Sequence, residues 1–148
     1  MVERMDRLRD LRSLRRSVAE RDARVAKVER DEFVRKVSAA KEEHARALSD
    51  ATTKRRGALD ALTSQPATPM NLARMGNVNA IIDQGINEAA ERSDHAKASL
   101  SEAEAALARK QDVLAQFLRR EEATNSAVER METASRRQCD AMEDDGED

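Results

Sequence analysis

Apolar residues recur along the second half of this chain in one unbroken seven-residue frame. The positions stepping +3, +4 are Leu72, Met75, Asn79, Ile82, Ile86, Ala89, Ser93, Ala96, Leu100, Ala103, Leu107, Lys110, Leu114, Phe117, Glu121, Thr124, Val128, Met131, Ser135, Gln138 and Met142. About two thirds are apolar, and the residues between them are mostly charged or polar. A 3.5-residue repeat makes a narrow seam on one helix, which only another helix can cover.

The first half carries a seam of its own. Its inner part follows Phe33, Val37, Ala40, His44, Ala47, Ala51, Lys54, Ala58 and Ala61, and its outer part Leu11, Leu14, Val18, Arg21, Val25 and Val28. The step from Val28 to Phe33 breaks the frame, as a skip residue would, and predicts a local change of supercoiling.

Between the halves stand Pro66 and Pro69, the only prolines. Gln65 and Thr68 precede them and are pushed out of the helical region. Thr68-Pro69 also reads as an N-cap followed by proline at the first helical position. The predicted organisation is helix one over 1–62, a turn over 63–69, helix two over 70–142 and a disordered acidic tail over 143–148. The fold class is all-α, an antiparallel two-helix coiled-coil hairpin forming one long rod. At 1.5 Å per residue the helices would extend about 90 and 110 Å. Folding back at Pro66 sets Ala61 opposite Leu72, Ala58 opposite Met75, Ala51 opposite Ile82, Ala47 opposite Ile86, Val37 opposite Ala96 and Phe33 opposite Leu100. Small residues face large ones, which permits close approach. Leu107, Leu114 and Phe117 continue the expected seam.

Composition narrows the class. Charged residues make up 38% of the 148 residues, and Phe33 and Phe117 are the only aromatics. A compact core of this size would hold several large side chains, whereas abundant Ala, Arg and Glu suit long helices. The net charge of -2 hides an asymmetry: residues 1–62 carry 17 basic and 12 acidic side chains, residues 63–148 carry 10 and 17. Antiparallel segments of opposite sign attract along their flanks.

Candidate chemistry is sparse. Cys139 is the only cysteine, and no Cys/His spacing for zinc exists. No apolar run reaches the roughly 20 residues of a membrane span, and the opening residues lack a secretory h-region. A reducing cytoplasm, without direct membrane insertion, is the expected place. His44 and His95 fall on different helices, out of register. His44, facing Ala89, reads as a half-buried polar break in the seam. No glycine-rich phosphate loop is present, and Lys54-Arg55-Arg56 without neighbouring aromatics argues against nucleic acid. The pattern predicts a non-enzymatic protein with no cofactor and no metal.

The arginines near the open end change that picture most. Arg4, Arg7, Arg9, Arg12, Arg15 and Arg16 crowd the start of helix one beside Leu8, Leu11 and Leu14. Arg119, Arg120, Arg130, Arg136 and Arg137 gather late on helix two. The planar guanidinium suits bidentate contact with a partner's carboxylates. Intrahelical pairs such as Glu3 with Arg7 are the plain alternative.

The opening Met5-Asp6-Arg7-Leu8-Arg9-Asp10-Leu11-Arg12-Ser13-Leu14-Arg15, the run Leu114-Ala115-Gln116-Phe117-Leu118-Arg119-Arg120-Glu121-Glu122, the stretch through Arg136-Arg137-Gln138 and Asn79-Ala80-Ile81-Ile82 resemble the FliJ/YscO family. These are coiled-coil stalk proteins of flagellar and injectisome type III protein export, and the near absence of aromatics favours the injectisome branch. The resemblance implies a cytoplasmic hairpin, peripheral to the inner-membrane secretion apparatus, whose paired N- and C-terminal ends enter a hexameric export ATPase. Its turn end would face the export gate protein, and some members also bind secretion chaperones. On that reading Arg4, Arg7, Leu8, Leu11, Arg12, Arg119, Arg120, Arg130, Arg136 and Arg137 are candidate ATPase contacts, and the free hairpin is monomeric. Two other readings share the helices: a self-associating coiled-coil scaffold or spacer, and a chaperone using the exposed turn between Ala58 and Met75.

Overall fold

The computed structural model describes residues 2–64, 66 and 68–144, with side chains described for 7–64, 66 and 68–137. It is an all-α, two-helix hairpin in which α1 (Val2–Thr63) is followed by α2 (Pro69–Asp144). Helix one ends one residue past the expected 62. Helix two begins at Pro69, one residue before the expected 70, and extends through Glu143 and Asp144, two residues of the expected tail. The rest of the tail, 145–148, lies outside the described residues, as do the side chains of Gln138, Cys139 and Met142.

The turn follows from its chemistry. The Asn71 backbone N–H donates to Thr68 Oγ1 at 3.2 Å, so Thr68 caps α2. Asn71 Nδ2 and the Thr68 N–H both donate to the Pro66 carbonyl, at 3.0 and 2.9 Å. At the other side Thr63 Oγ1 and Ser64 Oγ donate to the carbonyls of Asp60 and Ala61, in the last turn of α1 where backbone donors run out. All of these bonds join residues at most five apart, so the reversal is locally encoded.

The helices pair in two compact units. The turn unit, Val28–Ala105, holds the inner seam. Val37, Ala51, Ile82, Ala89 and Ser93 are buried, while Phe33, Ala40, His44, Ala47, Ala58, Met75, Asn79, Ile86, Ala96 and Leu100 are half-buried. Ala47 and Ala51 share a groove with Ile82 and Ile86, and Ala58 shares another with Met75, as the fold-back register requires. Arg92 bridges to Glu43 at 2.9 Å, and Arg55 bridges to Asp83.

Three expectations fail beside the turn. Leu72 is exposed and Asn71 takes its place, Ala61 is exposed while Leu62 is half-buried, and Arg55 replaces Lys54 on the inner face. Beside the turn the inward positions run Ala51, Arg55, Ala58 and Leu62 on α1 and Asn71, Met75 and Asn79 on α2, steps longer on average than 3.5 and nearer the period of a straight helix.

The terminal unit comprises Met1–Lys27 and Ala106–Asp148. On α2 the expected frame holds in most places: Leu107, Leu114, Phe117, Glu121 and Val128 are half-buried and Thr124 is buried, while Lys110, Met131 and Ser135 are exposed. On α1 it does not. Leu11, Leu14, Val18 and Val25 are 50, 65, 47 and 51% exposed, Arg21 is exposed, and Val28 at the edge of the turn unit is 60% exposed. The face turned inward is instead Arg12, Arg16, Ala19, Ala23 and Ala26. Counted along the sequence these positions continue through Arg30 to Phe33 in steps of three and four. No skip residue is needed between Val28 and Phe33. Alanine lets the backbones approach closely, and the arginine stems cover apolar surface while their heads reach polar partners.

Candidate docking surface

The terminal unit places the predicted arginines in two groups. The first is spent on the hairpin itself. Arg12 Nη1 donates to the Arg120 carbonyl at 2.9 Å, and Arg9 Nε donates to Asn125 Oδ1 at 3.3 Å. The Arg120 carbonyl also accepts the Thr124 hydroxyl at 2.8 Å, so two donors converge on one backbone oxygen beside a buried threonine. Arg16 Nε pairs with Glu20 at 2.8 Å and its Nη1 with Glu121 at 3.2 Å. Lys110 reaches Asp22 at 3.5 Å. Arginine is suited to this because one planar fork serves two acceptors. Arg12 is therefore a cross-helix brace, and using it for a partner would break an internal bond.

The second group faces solvent. Arg7, Arg15, Arg119, Arg120, Arg130, Arg136 and Arg137 are exposed, as are Leu8 and Leu11. Arg4 lies outside the residues whose side chains are described. Sequence reasoning does not separate the two groups, because whether an arginine braces or faces out depends on the rotation of α1. It also misses the exposed stripe of Leu11, Leu14, Val18 and Val25, whose apolarity assigns it to the seam.

The hydrogen bond from Arg16 holds the Glu20 carboxyl below its ordinary value near 4.5, against the opposing effect of burial and with help from the charges of Arg16 and Arg24. Asp94 is likewise lowered, first by its hydrogen bond from Lys97 at 2.7 Å. A depressed carboxyl stabilises the folded state above its unfolded value, and that contribution disappears as pH falls through the folded value. Thermal melts followed by circular dichroism should thus show Tm falling as pH drops below about 4.5. Glu20→Gln should lower Tm at pH 7 and flatten this fall. An unchanged acid profile in that variant would show that Glu20 does not carry the effect.

Among the described residues no group of three or more His, Cys, Asp and Glu side chains could hold a metal ion. The recesses are open grooves along the helices. One in the turn unit has about 340 Å³ and is lined by Ala47, Ala51, Val78, Ile82, Gly85 and Ile86 among others. No helix of the described residues is long and apolar enough to cross a membrane. What the geometry offers is surface for contact: outward arginines and an uncovered apolar stripe, both in the terminal unit. No family model, curated protein or solved structure matches this chain.

Proposed function

We propose that this protein is a non-enzymatic stalk of a type III protein export apparatus, of the FliJ/YscO kind. Its terminal unit docks into a hexameric export ATPase and its turn faces the export gate protein or secretion chaperones. One observation supports the reading most: Arg119, Arg120, Arg130, Arg136 and Arg137 stand exposed on α2 of the terminal unit. Exposed arginines concentrated on one helix match a partner surface rich in carboxylates. The sequence resemblance supplies the kind of partner.

Binding of the full chain to a hexameric type III export ATPase, followed by light scattering and by ATPase stimulation, tests the reading. Arg119→Glu combined with Arg120→Glu and Arg130→Glu should weaken binding by tenfold or more, roughly 1.4 kcal/mol, with helicity retained. Arg12→Glu is a poorer probe because it also removes the brace to Arg120. Unchanged binding and stimulation in the triple variant would sink the assignment.

A further inference from the structure

Leu11, Leu14, Val18 and Val25 sit on α1 in one heptad frame, with exposed Arg21 at the intervening position. At 100° per residue the stripe is centred about 130° around the helix from the inward face of Arg12, Arg16, Ala19, Ala23 and Ala26. It therefore lies on the back of α1, where α2 does not obstruct it. Its repeat is that of a coiled-coil seam, which fits another helix better than a flat surface. Polar and charged residues flank it: Asp10, Ser17 and Arg24 on one side, Arg15 and Asp22 on the other.

We propose that a second copy of this chain covers the stripe, its α1 running antiparallel to the first about a two-fold axis. In the register that sets Val18 opposite Arg21 of the second copy, Leu14 falls opposite Val25. Arg15 then falls beside Asp22 of the second copy, a pair that occurs twice by symmetry. The parallel arrangement would stack Arg21 on Arg21 in one layer and set two like charges together. The antiparallel one lays each Arg21 stem over a valine. The two arrangements also give Asp22 different neighbours. In the parallel one it lies beside Ser17 while Arg15 lies beside Asp10 of the second copy, and only in the antiparallel one does Asp22 meet Arg15, so variants at position 22 separate the two. This self-pairing is argued without the ATPase assignment, with which its stripe shares only Leu11 as a candidate contact, and its test reads Val18, Arg15 and Asp22 rather than the arginines of α2.

Sedimentation of the full chain across a wide concentration range, under reducing conditions so that Cys139 forms no cross-link, tests the proposal. The wild type should pass from monomer to dimer. Val18→Glu should remain monomeric with unchanged helicity, since the side chain is exposed in the hairpin. Arg15→Glu and Asp22→Arg should each weaken the dimer by about tenfold, and the double exchange should restore it. Restoration matters because Asp22 also lies 3.5 Å from Lys110 of its own chain, and losing that bridge could not be repaired at position 15. A wild type that stays monomeric, or a dimer indifferent to Val18→Glu, overturns the proposal. A double exchange no tighter than the single variants overturns the antiparallel register.

Discussion

Ala89→Glu should destabilise the turn unit by about 2–4 kcal/mol, a large share of the stability of a small domain. Ala89 is 2% exposed, the most buried of the core side chains, and its place in the frame is opposite half-buried His44. Glutamate there must either push the helices apart or hold a carboxylate away from water. The first disrupts the packing of Ile82, Ile86 and Ser93 on either side. The second carries a desolvation cost, and Arg92, one turn along, is already engaged with Glu43. Because the seam is only one side chain wide, the displaced contacts have no second layer to fall back on. Urea unfolding followed at 222 nm gives the measurement. Ala98→Glu, at an exposed position of the same helix, should stay within about 0.5 kcal/mol of wild type. Equal losses for the two variants would mean that helix propensity, not packing, controls the unit.

Asn79→Leu should act in the opposite direction. Asn79 occupies a seam position and its Oδ1 is shut off from solvent with no hydrogen-bond partner. An unsatisfied buried polar atom costs roughly 1–3 kcal/mol, and leucine adds apolar burial at the same site. We expect a gain of about 1–2 kcal/mol, read as a higher urea midpoint at unchanged slope. Asn79→Ala separates the contributions, since it removes the unsatisfied oxygen without filling the seam. A lower midpoint for both variants would show that the amide is bonded in solution and supports the pair.

Much of this architecture is legible in the amino-acid order. The frame from Met75 to Val128 on α2 is carried by Ile82, Ile86, Leu100, Leu107, Leu114 and Phe117, and each is buried or half-buried as the period requires. On α2 no second set of large apolar residues recurs at this spacing to compete with them. The turn is equally explicit, because Thr68-Pro69 can begin a helix and can scarcely do anything else. The small-to-large matching of Ala47, Ala51 and Ala58 with Ile86, Ile82 and Met75 follows from the position of that turn by counting alone.

The candidate docking surface is where reading by hydrophobicity fails, and α1 shows why. Its outer half offers two heptad sets: Leu11, Leu14, Val18 and Val25, or Arg12, Arg16, Ala19, Ala23 and Ala26. Apolarity favours the first, and the structure buries the second. The second set lies in phase with Phe33 and Val37 along one uninterrupted helix. Burying the first would demand an inserted residue or a turn of roughly 130° that the α-helical hydrogen-bond ladder does not accommodate. Local composition can rank two faces, but it cannot weigh the phase imposed by residues farther along the helix.

Sequence by itself therefore determined two helices, their reversal at Pro66 and Pro69, the face of α2 from Met75 onward and the pairing of Ala58, Ala51 and Ala47 with Met75, Ile82 and Ile86, since each depends on interactions within a few residues or on simple counting. Tertiary structure alone decided which face of α1 turns inward, and with it which arginines brace the hairpin, which face outward, and why a leucine–valine stripe is left on the back of the helix. Those are questions of rotation about a helix axis, and rotation is set by packing summed along the seam.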